Sequence, residues 1–556
     1  MSLEQDSMPT GRGLKGTARK ALLFGLIPLA VYFLVFCALS YPLITKFSTH
    51  FLIDDGDGFL NVWNIWWINK AVTELHQNPW TTTYLQFPHG TSLLGHTMIP
   101  FKGFMAIPLL RIFPFIQTFN ICVIFAFVVG GLTAFWLAYT LSRSYAGSLV
   151  AGFIFTFCSY HFAHAAGHLN LASIEWIPLF VLAWYILMTR PSFRIGIGAA
   201  LALFLVTLCD YYYFLYCVIT AAVIYAWKAL REKKPFLAFK RGYLLPLLGF
   251  GATAILTSGP LVASLFLLNR RDPMVGAHPT SWFSLDLPSL FIPGGHWRFA
   301  SWTEFYWSKL PGNINESSVH MGLALIFILV FVWVKRRSVR MESLRLWYAL
   351  IALFILLSMG PVLQLWGKPV PWVKLPYALL EAVFPPLKLS GVPVRMVIIS
   401  MLAAGIVLAA GFKDLFGATV ARRGLAAGLI ALLVFEYLPK PMWATRVTVP
   451  AYVQALKELP GTEGIIDQVA SPPYALYYQT IHEKPMAFGY IARIPGSVER
   501  RNARIAQLIK DREWGVLSRA YHFRYIVASG PPLKSSPKGG VKTVFDDGQI
   551  RIYEIK

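Results

Sequence analysis

What most constrains this chain is a succession of apolar runs, each long enough or nearly long enough to cross a bilayer as a helix. They fall at about 21–44, 118–141, 147–160, 170–189, 195–209, 212–230, 243–267, 319–334, 345–365, 396–413 and 424–438. A bilayer core takes about 20 helical residues to cross and offers no water to unpaired backbone groups. Eleven such runs therefore predict a mainly α, polytopic helical membrane protein. Composition agrees: 56% of the 556 residues are hydrophobic and only 14% are charged. The first run follows Arg12, Lys15, Arg19 and Lys20, the flank of a signal peptide. It is too long for one and lacks a small-residue cleavage site, so it reads as an uncleaved anchor.

The formal charge of +23 does not mark a nucleic-acid binder, because most of the basic residues fall in short loops between the runs. Placing the N-terminus in the cytoplasm puts Arg143, Arg190 to Arg194, Lys228 to Arg241, Lys335 to Arg345 and Lys413 to Arg423 inside. The short loops at 161–169 and near 210, on the other side, carry no Lys or Arg. That one-sided bias is what orients membrane proteins. Eleven spans then leave the C-terminus outside. The five cysteines sit in or beside apolar runs without CxxC spacing, which argues against a disulfide framework or a zinc site.

Residues 1–439 read as a transmembrane domain with outer loops 45–117, 270–318 and 367–395. From 440 to 556 the chain is more polar, with short β-type runs such as Tyr525–Ala528 and Ile550–Ile555, and reads as a small extracytoplasmic α/β domain. Polar groups gather at the outer ends of the spans. Asp54, Asp55 and Asp57 precede Asn61, Trp63, Trp66 and Trp67, and His96 follows in the same loop. His161, His164, His168 and Asn170 lie between the third and fourth spans, and Glu175 about one turn into the next. Asp210 and Tyr211 mark the fifth-to-sixth junction, Glu316 and His320 open the eighth span, and Lys388 and Arg395 precede the tenth.

Carboxylates beside a bilayer are costly and point to function. The set suits sugar transfer from a polyprenyl-phosphate carrier. A carboxylate takes the proton of an attacking hydroxyl, cations or hydrogen-bond donors hold the departing phosphate, and Trp or Tyr stack on sugar faces or headgroups. A transporter or flippase of lipid-linked glycans is the rival, but it predicts charges deep in the spans and repeat symmetry.

The stretches DGDGFLNVW (55–63), YLQFPHGTSLLGH (84–96) and HFAHAAGHLNLASIEWIPL (161–179) resemble the bacterial GT-C superfamily of integral-membrane glycosyltransferases. The likeness is to the branch near the aminoarabinose and protein O-mannosyl transferases. The tail, with QTIHEKPMAFGYIARIP (479–495) and FRYIVAS (523–529), is similar to the extracytoplasmic end of such chains. The resemblance implies an inverting transferase of the bacterial cytoplasmic membrane, with a polyprenyl-phosphate-linked sugar as donor and a glycan, lipid or protein as acceptor. It maps the catalytic aspartate to the first outer loop, at Asp57 or Asp55, with Asp57 preferred for its spacing to Asn61 and Trp63. Some members use a divalent metal and others none, so no cofactor carries over.

Overall fold

The computed structural model describes residues 14–556 except 235, 241, 277, 385–386, 388–390, 418, 443 and 534–539. Lys388 thus lies outside the described residues. A helix stands at each of the apolar runs. By length and composition five of them qualify to cross a membrane: Thr17–Ser40, Phe115–Ser142, Tyr211–Arg231, Leu244–Arg271 and Pro393–Phe416. A sixth is the pair Tyr145–Thr156 and Ser159–Ala165 if counted as one span, bent by 45° at its break. Ile177–Thr189, Phe193–Cys209, Leu323–Val334 and Leu344–Ser358 are shorter apolar helices.

The bundle is built around Val397–Phe416, nearly all of whose side chains are buried. It packs against Tyr145–Thr156, Leu344–Ser358, Leu323–Val334 and Phe115–Ser142. Close approach comes from small residues, as is usual where lipid supplies no hydrophobic drive between helices. A Cβ on Gly405 would lie 3.0 Å from the Ala151 carbonyl oxygen, and one on Gly411 would lie 2.2 Å from Val332. Leu244–Arg271 is the opposite case: few of its side chains are fully buried.

The break at Phe157–Cys158 is held by His161. Its Nδ1 lies 2.6 Å from the Thr156 carbonyl and its Nε2 lies 2.8 Å from that of Ala172. A second fastening joins Lys102, on the helix Pro100–Leu109, to Glu175 at 2.7 Å, with both side chains fully buried. These two expected site residues, His161 and Glu175, therefore serve the scaffold.

The first outer loop builds the helix Asp57–Thr73, which is buried along almost its whole length. After residue 440 the chain forms a four-stranded sheet in the order Gly464–Asp467, Phe523–Ser529, Ile550–Ile555, Val541–Asp546. The first pair is parallel and the others antiparallel. Helix Pro472–His482 packs this part of the chain onto Asp57–Thr73. Trp63, Trp66 and Trp67 are buried there: the Trp63 indole donates to Gln479 Oε1 at 2.7 Å and that of Trp67 to the Pro79 carbonyl at 2.9 Å. These three rings thus pack the interface and are not among the cavity-lining residues. A large apolar ring with one satisfied N–H is most stable where both halves are buried.

Candidate active site

The site starts with a helix N-terminus. Asp54 Oδ1 accepts the N–H groups of Gly56 at 3.1 Å and Gly58 at 3.0 Å, so its charge caps the helix that begins at Asp57. Asp55 is exposed and lies off the cavity wall. Only Asp57 among the three presents its carboxylate to the cavity. There His168 Nε2 lies 3.1 Å from Oδ2, and the Tyr490 hydroxyl donates to Oδ1 at 2.7 Å. Burial alone would raise the Asp57 pKa, but His168, Tyr490 and the nearby charge of Arg395 together hold it below the ordinary aspartate value. The Tyr490 hydroxyl is pushed up, by burial and by the Asp57 charge, and so remains a donor.

Behind Asp57 runs a chain of polar groups. His168 Nδ1 lies 3.4 Å from His164 Nδ1, and His164 Nε2 lies 3.4 Å from Glu316 Oε2. Glu316 Oε1 accepts from Arg395 Nε at 2.9 Å and from Nη2 at 2.5 Å. Burial acts to raise the Glu316 pKa, yet Arg395 and His164 outweigh it and hold the carboxyl far below its ordinary range. Arg395 also lies over the Tyr212 ring, 5.1 Å from its centroid. Segments remote in sequence, at 57, 164–168, 316 and 395, are thus joined by one line of polar contacts.

The cavity in front of them has a volume of about 650 Å³. Its polar wall includes Asp57, Asn61, His96, His168, Asn170, Asp210, Tyr211, Glu316 and Arg395. Its lining also includes apolar side chains, among them Phe214, Leu215 and Val218 of one helix and Leu261, Leu265 and Phe266 of another. The turn 167–170 is the hub of the polar wall. Asn61 Nδ2 donates to the Gly167 carbonyl at 2.6 Å, His168 holds Asp57, and Asn170 Nδ2 donates to Asp210 Oδ2 at 2.7 Å. His96 is buried, which depresses its pKa to about 3. Its Nδ1 accepts the Ala492 N–H at 3.2 Å, and Nε2 faces Asn64 Oδ1 at 3.1 Å. A neutral ring with the proton on Nε2 satisfies both contacts.

Of the expected site residues, His161, His164, Glu175 and His320 lie off the cavity wall. His164 still belongs to the polar line behind Asp57, whereas His320 is bound to the Glu436 carbonyl at 2.7 Å and to Ser159. Tyr490 and Arg493, both from the C-terminal part of the chain, are among the wall residues that escaped the sequence reading. The segment holding them is tied down by the pairing of Met274 and Val275 with Pro495 and Ile494, and by Asp272 on Ser497. The stretch AFGYIARIP carried that signal only as part of a resemblance. Among the described residues no three His, Cys, Asp or Glu side chains are grouped to hold a metal ion. Both Asp57 oxygens and one of Asp54 are engaged by protein donors.

The fold of the chain is like that of a solved membrane glycosyltransferase. It is similar to the arabinofuranosyltransferase AftD from Mycobacteria, with TM-score 0.56 and 12% identity, over 96% of this chain and 41% of that one. The chain thus spans about two fifths of AftD. It also aligns with the oligosaccharyltransferase of Archaeoglobus fulgidus, at TM-score 0.45 and 14% identity over 91% of this chain and 69% of that one. ArnT from Cupriavidus metallidurans, solved bound to undecaprenyl phosphate, aligns at TM-score 0.39 and 12% identity over 98% of both chains. The chain itself belongs to the family DUF6311, described as a domain of unknown function, which matches residues 27–435. No curated protein matches it.

Proposed function

We propose that this protein is a glycosyltransferase that moves a sugar from a polyprenyl-phosphate-linked donor to an acceptor hydroxyl at the outer face of the bacterial cytoplasmic membrane. The observation that carries the reading is one cavity whose lining holds Asp57, with its pKa lowered, together with the apolar faces of two helices. An isoprenoid tail fits the apolar faces, and its phosphate and sugar fit the polar wall. In this reading the N-terminus is cytoplasmic, the eleven helices cross the membrane, and residues 440–556 lie outside as a separate unit that closes the site.

The reaction asked of these residues is a single displacement. Asp57 takes the proton from the acceptor hydroxyl as its oxygen attacks the anomeric carbon. The bond from that carbon to the phosphate oxygen breaks, and polyprenyl phosphate leaves with both electrons of that bond. One displacement inverts the anomeric centre. Arg493 and Arg395 are the cations at the cavity wall for the departing phosphate, and Glu316 fixes the Arg395 fork by its two contacts. No step is routed through a metal.

The test is transfer or hydrolysis from radiolabelled undecaprenyl-phosphoryl sugars by purified protein. Asp57→Asn should reduce the rate by about 10²–10⁴-fold, the usual span for losing a positioned base. Asp55→Asn should leave it near wild type. Full activity in Asp57→Asn, or no turnover of any such donor by the wild type, overturns the proposal.

A further inference from the structure

The third outer loop carries an apolar face that nothing among the described residues covers. Its helix Pro376–Val383 splits by helical spacing. On the inward side Tyr377 is buried, Leu380 packs on the core and Glu381 Oε1 accepts the Thr280 hydroxyl at 3.1 Å. Leu379 and Val383, one turn apart on the other side, are 69% and 75% exposed. Just ahead of the helix, Trp372 is 82% exposed on the strand Lys368–Lys374. That strand is firmly held. It pairs with Val362–Leu365, and Asp286 accepts the N–H groups of Trp366 and Gly367 at the turn. Water is a poor neighbour for three such side chains displayed together by a fixed framework.

The neighbour of this face indicates its occupant. Phe384, just past the helix, meets Phe266 of Leu244–Arg271 edge to face, with ring centroids 5.6 Å apart. Leu244–Arg271 is long and apolar enough to cross a membrane, and Ile255, Leu256 and Leu267 along it are at least half exposed. Its 28 residues rise about 42 Å against about 30 Å of hydrocarbon, so about 6 Å projects at each end of a centred helix. Phe266 stands about 8 Å along the axis from the end at Arg271, where acyl chains meet headgroups. Arg270 and Arg271 are exposed, as are Lys368 and Lys374. A tryptophan displayed among lysines and arginines is the composition of a headgroup layer, and the one acid of the helix is turned inward to Thr280. We infer that Trp372 and the helix Pro376–Val383 dock on the bilayer leaflet at the cavity side, with Leu379 and Val383 among the upper acyl chains and Lys368 and Lys374 on lipid phosphates. Phe384 and Leu387 line the cavity, so the docking ties one wall of the cavity to the lipid surface. It depends on Leu244–Arg271 crossing the bilayer and is independent of the reaction proposed above.

The test is fluorescence quenching of a nitrobenzoxadiazole label on the full-length protein, held in nanodiscs of phosphatidylcholine and phosphatidylglycerol. Cys37→Ser removes the one cysteine that is not buried. Leu379→Cys, Val383→Cys, Leu256→Cys and Thr543→Cys then each supply one attachment point at an exposed position, so the label leaves the packing intact. Thr543, on the sheet formed after residue 440, is the aqueous reference, and Leu256 at mid-span is the lipid one. A lipid nitroxide close to the glycerol should quench the labels at 379 and 383 at least about two-fold more than the one at 543, and aqueous iodide at least about two-fold less. Labels at 379 and 383 that iodide reaches as freely as the one at 543 overturn the docking. Shielding from both quenchers overturns it too, since a protein surface such as a second copy would then cover the face. A label at 256 that deep lipid nitroxides leave unquenched denies the span, and the docking with it, whatever the transfer assay shows.

Discussion

Replacing Glu316 with glutamine should be among the most damaging single changes in this protein, and the size of the effect follows from its surroundings. The side chain is 3% exposed, and that of Arg395 is 10% exposed, so solvent screens the pair little. Two Arg395 nitrogens meet Oε1, and His164 stands at ion-pair distance from Oε2. Unit charges about 4 Å apart in an effective dielectric of about 20 interact by about 4 kcal/mol. Stranding one partner of a buried pair costs about 3–5 kcal/mol by a similar argument. The double change Glu316→Leu with Arg395→Leu removes both charges and should lose much less than the sum of the single changes, because neither desolvated ion remains. The assay is unfolding in mixed detergent micelles, run as a double-mutant cycle. The Glu316 pKa is depressed on folding, so its contribution is fully present above the ordinary glutamate value of 4.5 and is lost as pH falls through the depressed one. The deficit of Glu316→Gln should therefore hold constant through neutral pH and shrink only in strong acid. A deficit under about 0.5 kcal/mol, or strictly additive single changes, would refute the reasoning.

Other consequences are open to test. Because the Asp57 pKa is lowered on folding, the base form persists as pH falls, and transfer should not decline until below the ordinary aspartate value of 3.8. Tyr490→Phe removes one of the groups that lowers it, and the acid limb of the pH–rate profile should move up; an unmoved limb counts against the Tyr490 contact. Gly167→Ala would place a Cβ 2.7 Å from Asp54 Oδ2, an atom whose carboxylate is pinned by two backbone N–H groups. It should cost about 1 kcal/mol of stability, and it should slow transfer by displacing His168; wild-type kinetics would show that the turn tolerates the shift. Lys102→Met alone strands Glu175 and should destabilise by about 3–5 kcal/mol in the same micelle assay. Adding Glu175→Leu should recover most of that loss, and no recovery would deny the pairing.

The sequence by itself settled the helical character of the chain, because apolar runs have no other stable form in a bilayer. It also placed strands at Tyr525–Ala528 and Ile550–Ile555, where β-branched and aromatic residues cluster. It narrowed the first-loop carboxylates to Asp57 or Asp55 by resemblance alone. What no local pattern could tell is which side of each residue faces the cavity. Asp54, Asp55 and Asp57 are near-identical in sequence terms, yet one caps a helix, one faces outward and one meets His168 and Tyr490. Likewise His161 and His168 belong to one short segment, but the bend after Thr156 turns the first onto backbone carbonyls and leaves the second on the cavity wall. Tyr490 lies 433 residues from Asp57 along the chain. Only the packing of the C-terminal part onto the first-loop helix brings the two together, since burial of Trp63 and Trp67 fixes that interface. Hydropathy is a property of segments and survives in the sequence, whereas a site depends on directions and distances between segments, which exist only once the chain is packed.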